Sequence, residues 1–507
     1  ARIGARAVKP LLDALVDPDA GQQRVAIDVL AYVENRNAGL PLLSFAQGNA
    51  ELSLRARAMV ASGALRDPGL LAKYEALVFP KGEGGEVGVA SDPIAVAAAW
   101  SIAKSQDKRA LAPLRRLLKL GTPEMRAFAA LGLAALKDKG SVPALAEATR
   151  SLDGGMVARA AAAYALGELG ATDEMSTLLA LTDGVDALPR EAALVSLARL
   201  GAVKADSPRA KAATSAMADA VFAGRAGATT LPQAGAYGLV LLATKGAADA
   251  KLDPLPVPDE ALDGERALRQ LLDVPTTEKD RALALVTFHE PLTRAALTAL
   301  QTSDARANNV LEALGRGEGS LEPFLGSRES ADTKVARDKA REVLTALEPS
   351  IAALARHPDA ALRVKAIALL ARSKGEAAQL AMVGALTDPD VNVQRVALNA
   401  VGVAANQRAT EEVVRVLREH RQWSVRTLAC AALGRIGRAG GGTEPTAALR
   451  AAARAEPFAL VREAALLGLV EADATAARAL AAEMAKDDPE PRVRETAAKI
   501  ARGAAAR

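Results

Sequence analysis

One unit of sequence occurs twice in this 507-residue chain, at positions 371 residues apart. The segment DPDAGQQRVAIDVLA at 17–31 aligns without a gap on DPDVNVQRVALNAVG at 388–402, sharing Asp-Pro-Asp, Gln-Arg-Val-Ala and an apolar residue after that Ala. The same register returns as a proline followed five residues later by Arg or Gln: Pro18 with Gln23, Pro358 with Arg363, Pro389 with Gln394, Pro457 with Arg462 and Pro489 with Arg494. Looser copies place Arg55, Arg126, Arg159, Arg190 and Arg426 at the equivalent point. Spacings of 31, 32, 36 and 32 residues from Arg363 to Arg494 are those of a helical-hairpin array.

The content of one unit is readable at 411–437. Val413, Val414 and Leu417 give Glu411 to Glu419 a helical apolar face. Val425, Leu428, Ala429, Ala432, Leu433 and Ile436 then recur at the spacing of a second helix with one wide apolar stripe. Gly437 and the glycines at 440–442 are expected to end it. Elsewhere Asp-Pro punctuates, because proline disfavours helical geometry in the residue before it and is accepted in the first turn of the next helix. A single hairpin leaves apolar faces uncovered, so neighbours must stack into one continuous core.

Composition agrees: half the residues are apolar but only 3% are aromatic, which suits thin helices packed on Ala and Leu. The expected fold is an all-α superhelical solenoid of about fourteen or fifteen hairpins. Clear units cover roughly 1–65, 110–200 and 349–507. The predicted organisation is an N-terminal sub-solenoid at 1–223, an irregular junction at 224–265 and a C-terminal sub-solenoid at 266–507. In the junction the period is lost, and Asp253-Pro254-Leu255-Pro256-Val257-Pro258 cannot be helical. It reads as a connector, or as an extended contact with a partner. Two other interruptions are Phe79 to Pro93, with Lys81-Gly82-Glu83-Gly84-Gly85-Glu86 read as a solvated loop, and 315–332, with Gly315, Gly317, Gly319 and Gly326. Ala1-Arg2-Ile3-Gly4 resembles Gly434-Arg435-Ile436-Gly437, the end of a unit, so the array is expected to extend upstream.

The pattern D-P-x-x-x-V-R-x-x-A-A-x-x-L-G, clearest in Val425, Arg426, Ala429, Ala432, Leu433, Gly434, Ile436 and Gly437, resembles the HEAT family and its phycobilisome-lyase-type HEAT-like repeats. The resemblance implies a binding surface and names no ligand. It also implies that the repeated Arg or Gln forms a structural ladder to Asp and backbone groups of adjacent hairpins. The HEAT-like deoxyhypusine hydroxylases are similar enzymes whose metal site uses several His-Glu pairs; here only His289-Glu290 occurs among three histidines, with His357 and His420. One pair cannot furnish such a site. HEAT-like DNA glycosylases line a basic surface with Trp and Arg, whereas this chain has only Trp100 and Trp423. No cofactor or metal is expected. Cys430, the single cysteine, lies amid Leu428, Ala429, Ala431 and Ala432 and reads as a small buried hydrophobe, and it defines no oxidising compartment. No apolar run is long enough to span a bilayer. Localisation is not readable from the sequence: the cytoplasm is slightly favoured and an exported form stays open, and the alanine- and arginine-rich helices suggest a bacterial source of high genomic GC content.

The net charge of +4 is small beside 64 basic and 60 acidic residues, so no overall field steers the molecule toward nucleic acid. It resides wholly in 401–507, which holds 17 Lys and Arg against 13 Asp and Glu. Within 415–438 stand Arg415, Arg418, Arg421, Arg426, Arg435 and Arg438 against Glu419 alone, with His420 and Trp423 between them. Arg415, Arg418, Arg421, Trp423 and Arg426 are therefore candidate anion- or partner-binding residues. The alternative is a solvated helix face with Trp423 packed on the next repeat. Arg395, Asn399, Thr427, Glu463, Glu495 and Lys499 are candidate positions on the solenoid's concave second-helix surface. The expected function is a non-enzymatic scaffold holding one or more proteins. The alternatives are polyanion binding through 415–438 and, from the subclass resemblance alone, a lyase acting on a tetrapyrrole-protein substrate.

Overall fold

The computed structural model describes residues 5–33, 35–81, 88–203, 207–224, 231–247, 253, 255–257, 263–315, 321–325, 330–331 and 333–503. The glycine-rich stretch at 82–86, Ala1-Arg2-Ile3-Gly4, Pro254, Pro258, Gly317, Gly319 and Gly326, singled out above, lie outside those residues. The described residues form 28 α-helices joined by turns and short 3-10 segments, with no strand among them.

The Asp-Pro-Asp signature builds a helix start in two steps. Asp388 Oδ1 accepts from the Asp390 N–H at 2.8 Å, and Asp390 Oδ1 accepts from the Asn392 N–H at 2.7 Å. Asp17 and Asp19 repeat the arrangement with the same two distances. The second Asp is thus the N-cap, satisfying a donor that the first turn leaves open. Proline in this motif stands just before the cap, outside the helix it was expected to enter. At Pro93, Pro123, Pro208 and Pro491, where another residue caps, proline does occupy the first turn. Helix Trp423–Arg438 also runs through Gly437, where a stop was expected, and ends only before Gly440 at φ 90°.

Ala1–Pro291 and Leu292–Arg507 are separate compact units. In the first, seven consecutive hairpins run from Val8–Asp13 with Ala20–Leu30 to Pro208–Val221 with Leu231–Ala243. Its second helices, Ala20–Leu30, Leu52–Ala64, Pro93–Lys104, Pro123–Ala135, Gly155–Glu168, Ala187–Val203 and Leu231–Ala243, pack each against the next. Trp100, Tyr74, Phe128 and Phe222 are its largest fully buried side chains, set among alanines and leucines. After Leu231–Ala243 the chain turns back: helix Gly264–Leu272 packs on Pro123–Ala135, Gly155–Glu168 and Ala187–Val203.

In the second unit five hairpins follow in order: Lys334–Leu354 with Ala360–Leu370, Glu376–Gly384 with Val391–Val403, Thr410–Glu419 with Trp423–Arg438, Glu444–Ala455 with Ala459–Ala472, and Ala474–Asp487 with Pro491–Ala501. Trp423–Arg438 and Ala459–Ala472 approach closely at Gly434 and Gly468, where a Cβ on Gly434 would lie 2.8 Å from the Gly468 carbonyl oxygen. Only hydrogen fits at that crossing.

Candidate functional site

In the second unit Arg363, Gln394, Arg426, Arg462 and Arg494 each stand four residues after an N-cap and are committed to the fold. These side chains form a running ladder. Arg363 grips Asp388 with two 2.8 Å bonds and donates to the His357 and Pro358 carbonyls. Gln394 donates to the Asp388 carbonyl, while its Oε1 takes a 3.0 Å bond from His420 Nε2. His420 Nδ1 accepts from the Gln422 N–H, which fixes that tautomer. Arg426 donates to the His420 carbonyl and to both Glu456 oxygens. Arg462 then bonds the Glu456 carbonyl and Asp488, and Arg494 bonds the Asp488 carbonyl. Buried carboxylates and orphan carbonyls are thereby satisfied from one hairpin to the next. Burial pushes the Asp388 carboxyl up, but the Arg363 bonds and the Asp390 amide more than offset it and hold it below the usual range.

The structure consequently divides the basic segment. Arg426 is 7% exposed and belongs to the ladder, with its guanidinium also over the Phe458 ring at 5.2 Å, so it does not present its charge to a ligand. Its place four residues after the cap, shared with Arg363 and Arg462, decides this. Arg415 is exposed but paired with Glu412 one turn earlier. Arg418 and Arg421 are exposed and make no ion pair or side-chain hydrogen bond among the described residues. Trp423 opens helix Trp423–Arg438 and is 41% exposed. Arg435 reaches Asn399, and Arg438 reaches Glu471.

Of the other surface candidates, Arg395 is exposed, and Asn399 is exposed while accepting from Arg435 at 3.1 Å. Thr427 is half-buried, its hydroxyl donating to the Ser424 carbonyl. Glu463 is half-buried, between Arg492 at 2.8 Å and Thr496 at 2.7 Å. Glu495 and Lys499 pair with each other on one helix face at 2.8 Å. Asn399 and Glu463 thus bridge neighbouring second helices.

The first unit holds a site that sequence reasoning missed. A groove of about 1040 Å³ opens between helices Ala20–Leu30, Leu52–Ala64 and the start of Pro93–Lys104. Ile27, Leu54 and Val60 form its buried floor. Tyr32 and Leu52 stand exposed at its edge, and Arg24, also exposed, has no partner among the described residues. Val257 lines it as well. Before Val257 in the chain, Asp253 and Leu255 lie against the C-terminal ends of helices Leu52–Ala64 and Pro93–Lys104. Lys104, 4% exposed, donates to Asp253 and, at 2.6 Å, to the Leu255 carbonyl. Arg66 approaches Asp253 at 3.5 Å, and Leu255 is fully buried. Burial pushes the Lys104 ammonium down, and Asp253 opposes it. The signal available in sequence was the extended, non-helical reading of 253–258; nothing there showed that its contact is with the chain itself.

Elsewhere the chemistry is spare. His289 lies within helix Glu278–Thr302 at its kink, Nδ1 2.9 Å from the Val286 carbonyl, where Pro291 breaks the helical ladder. His357 faces Asp304 at 3.3 Å. Burial and the nearby Glu456 carboxylate push the Cys430 thiol up to about 12. Among the described residues no three His, Cys, Asp or Glu side chains converge as metal ligands, and no helix is long and apolar enough to cross a membrane.

No curated protein matches the chain. Among solved structures it is similar to Kap121p, at 15% identity over 98% of this chain and 52% of that one, with a TM-score of 0.47. It is similar also to importin beta crystallised in an ammonium sulfate condition, at 12% identity over 98% and 72%, with a TM-score of 0.36. Human deoxyhypusine hydroxylase in complex with glycerol follows at 16% identity over 80% and 96%, with a TM-score of 0.24. The chain spans about half the length of Kap121p. The family model for HEAT repeats matches residues 122–198 and 381–469, one region in each unit. Both regions consist of the stacked hairpins described above, with Arg126, Arg159 and Arg190 in the first and Gln394, Arg426 and Arg462 in the second at the ladder position, and the chain carries HEAT repeats in both units.

Proposed function

We propose that this protein is a non-catalytic scaffold that holds a protein partner on the second-helix face of its first unit. The observation that carries the reading is the open apolar groove at Ala20–Leu30 and Leu52–Ala64, with Tyr32 64% exposed and Leu52 48% exposed at its edge. Covering apolar surface of this kind releases roughly 25 cal/mol per Å², and grooves between repeats are where a stacked array offers such surface. A photo-crosslinking residue at Leu52 should give a discrete protein adduct in the protein's own cells. The same residue at Leu120, exposed at the end of a first helix, should not. Equal labelling at both positions, or none at Leu52, refutes the reading.

A second reading is supported by Arg418 and Arg421, two exposed guanidiniums without partners among the described residues beside the half-exposed Trp423. They are suited to a polyanion such as nucleic acid or an acidic protein segment. Arg418→Glu with Arg421→Glu should abolish binding to single-stranded DNA and to polyglutamate while leaving helical content unchanged. Binding that persists in the double variant removes this reading.

A further inference from the structure

The buried Lys104 head group is held by parts of the chain 149 and 151 residues away. Asp253 supplies the carboxylate, facing Lys104 and Arg66 together. Two residues on, the Leu255 carbonyl completes the Lys104 shell at 2.6 Å, its side chain is 1% exposed, and its N–H bonds back to Asp253 at 3.1 Å. Two residues further, Val257 reaches the groove. Acid, leucine and valine at every second position is the alternation an extended segment presents to one surface. The track does not end at Val257. The groove continues across Leu52–Ala64 to Ala20–Leu30, with its apolar floor and Arg24, which has no partner among the described residues, and Val257 lines it from the Pro-rich stretch.

We propose that the Lys104–Arg66 cleft and the adjoining groove form one peptide-binding track, whose ligand is an extended segment of a partner protein carrying an acidic residue followed by aliphatic residues at alternate positions, and that Asp253, Leu255 and Val257 hold part of it in cis. This rests on the scaffold reading and gives the partner its chemistry: a carboxylate for Lys104 and Arg66, a leucine-sized side chain for the Leu255 site, and aliphatic groups for the groove. A tethered segment competes at an effective concentration in the millimolar range for a short tether. A free peptide therefore binds with an affinity reduced by the fraction of molecules whose track is open. The cis segment sets a threshold that a longer partner, also filling the groove beyond Val257, passes.

The probe is a fluorescein-labelled peptide Asp-Pro-Leu-Pro-Val, titrated by fluorescence polarisation into the full chain. Asp253→Lys sets the cis segment against Lys104 and Arg66 while leaving every residue of the track in place. It should tighten peptide binding at least tenfold over the unaltered protein. Leu255→Ala, which weakens the cis segment through its apolar anchor instead, should act in the same direction and serves if the first variant loses helical content. In either released background, Lys104→Met or replacement of the peptide's Asp by Asn should reduce binding tenfold or more. Equal binding by the unaltered and released proteins, no binding by any of them, or indifference to Lys104→Met overturns the inference. A Leu52 adduct obtained alongside any of those results leaves the scaffold reading standing and removes only the proposed track.

Discussion

Arg462 is the ladder residue whose loss has the most predictable consequence. Its guanidinium makes two 2.8 Å bonds to Asp488 and donates at 2.9 Å to the Glu456 carbonyl, and both members of the ion pair are almost entirely buried. Arg462→Met keeps the length of the apolar stem and removes the charge. Asp488 is then left with the Glu490 N–H at 2.9 Å as a remaining donor. Breaking a buried pair from one side costs about 3–5 kcal/mol, because the other charge stays desolvated and unpaired. The surviving Glu490 bond places the cost at the lower end, about 3 kcal/mol, or roughly a 150-fold change in an opening equilibrium. Repeat arrays respond locally, through each repeat and its neighbour. The loss should therefore appear as faster amide hydrogen exchange in Ala474–Asp487 and Pro491–Ala501, with the first unit's helix Gly155–Glu168 unchanged. Adding Asp488→Asn should recover part of the protection by neutralising the stranded carboxylate. Arg454→Met is the control: its 2.8 Å pair with Glu483 is more than half exposed on both sides and is worth about 0–1 kcal/mol. Protection in Pro491–Ala501 that changes less than threefold, or falls no further than in the Arg454 variant, refutes the view that the ladder joins the hairpins.

Three further outcomes follow from the same geometry. Asp388 and Asp488 titrate below the ordinary carboxylate range in the folded chain, so their contribution is fully present above the unfolded value of about 3.9 and is lost as pH falls through the lower folded values; urea midpoints should hold from pH 7 to pH 5 and drop below about pH 4, and a midpoint unchanged at pH 3 contradicts this. Cys430, with its thiol pushed up to about 12, should react with a disulfide reagent at pH 8 on the order of a thousandfold more slowly than a free thiol and at full rate in guanidinium; prompt labelling of the folded chain overturns its placement. Gly434→Ala should lower the melting temperature, because the added Cβ would meet Gly468 backbone at 2.8–2.9 Å and overpacking costs about 1–3 kcal/mol, more than the roughly 1 kcal/mol that Ala gains over Gly in a helix; an unchanged or raised melting temperature refutes the close crossing.

The ladder was legible because each of its members stands at a fixed distance from a proline or cap, and the resemblance to the HEAT family implied what such a position does. Applied to Arg426, the same rule reads the residue correctly as a neighbour of Glu456. Counting basic residues in a window does not, since the window mixes a side chain turned inward with Arg418 and Arg421 turned outward. Helix starts were legible for a related reason: capping is a contact between residues two or three apart. Their ends were less so, because Gly437 lies inside its helix for the sake of packing on Ala472, a tertiary reason that local punctuation does not record.

Lys104 marks where that kind of legibility stops. In sequence it is an ordinary lysine in the last turn of a helix, where a cation is welcome, and Asp253 is an acid in a proline-rich connector. Repetition reports contacts between a hairpin and its neighbour about 32 residues away, and it carries no information about a pair 149 residues apart. Yet it is the irregular pair that distinguishes one stretch of the array from every other. A regular solenoid offers the same kind of face at each repeat, so selectivity for a partner has to come from a departure from the repeat. Here the departure is the return of Asp253, Leu255 and Val257 and of helix Gly264–Leu272, which places an acid against Lys104 and sets Arg269 against the buried Glu191 at 3.1 Å. Both carboxylate-cation contacts lie on the second-helix face of the first unit, where that face is covered by the chain itself, and the groove at Ala20–Leu30 and Leu52–Ala64 begins where that cover ends.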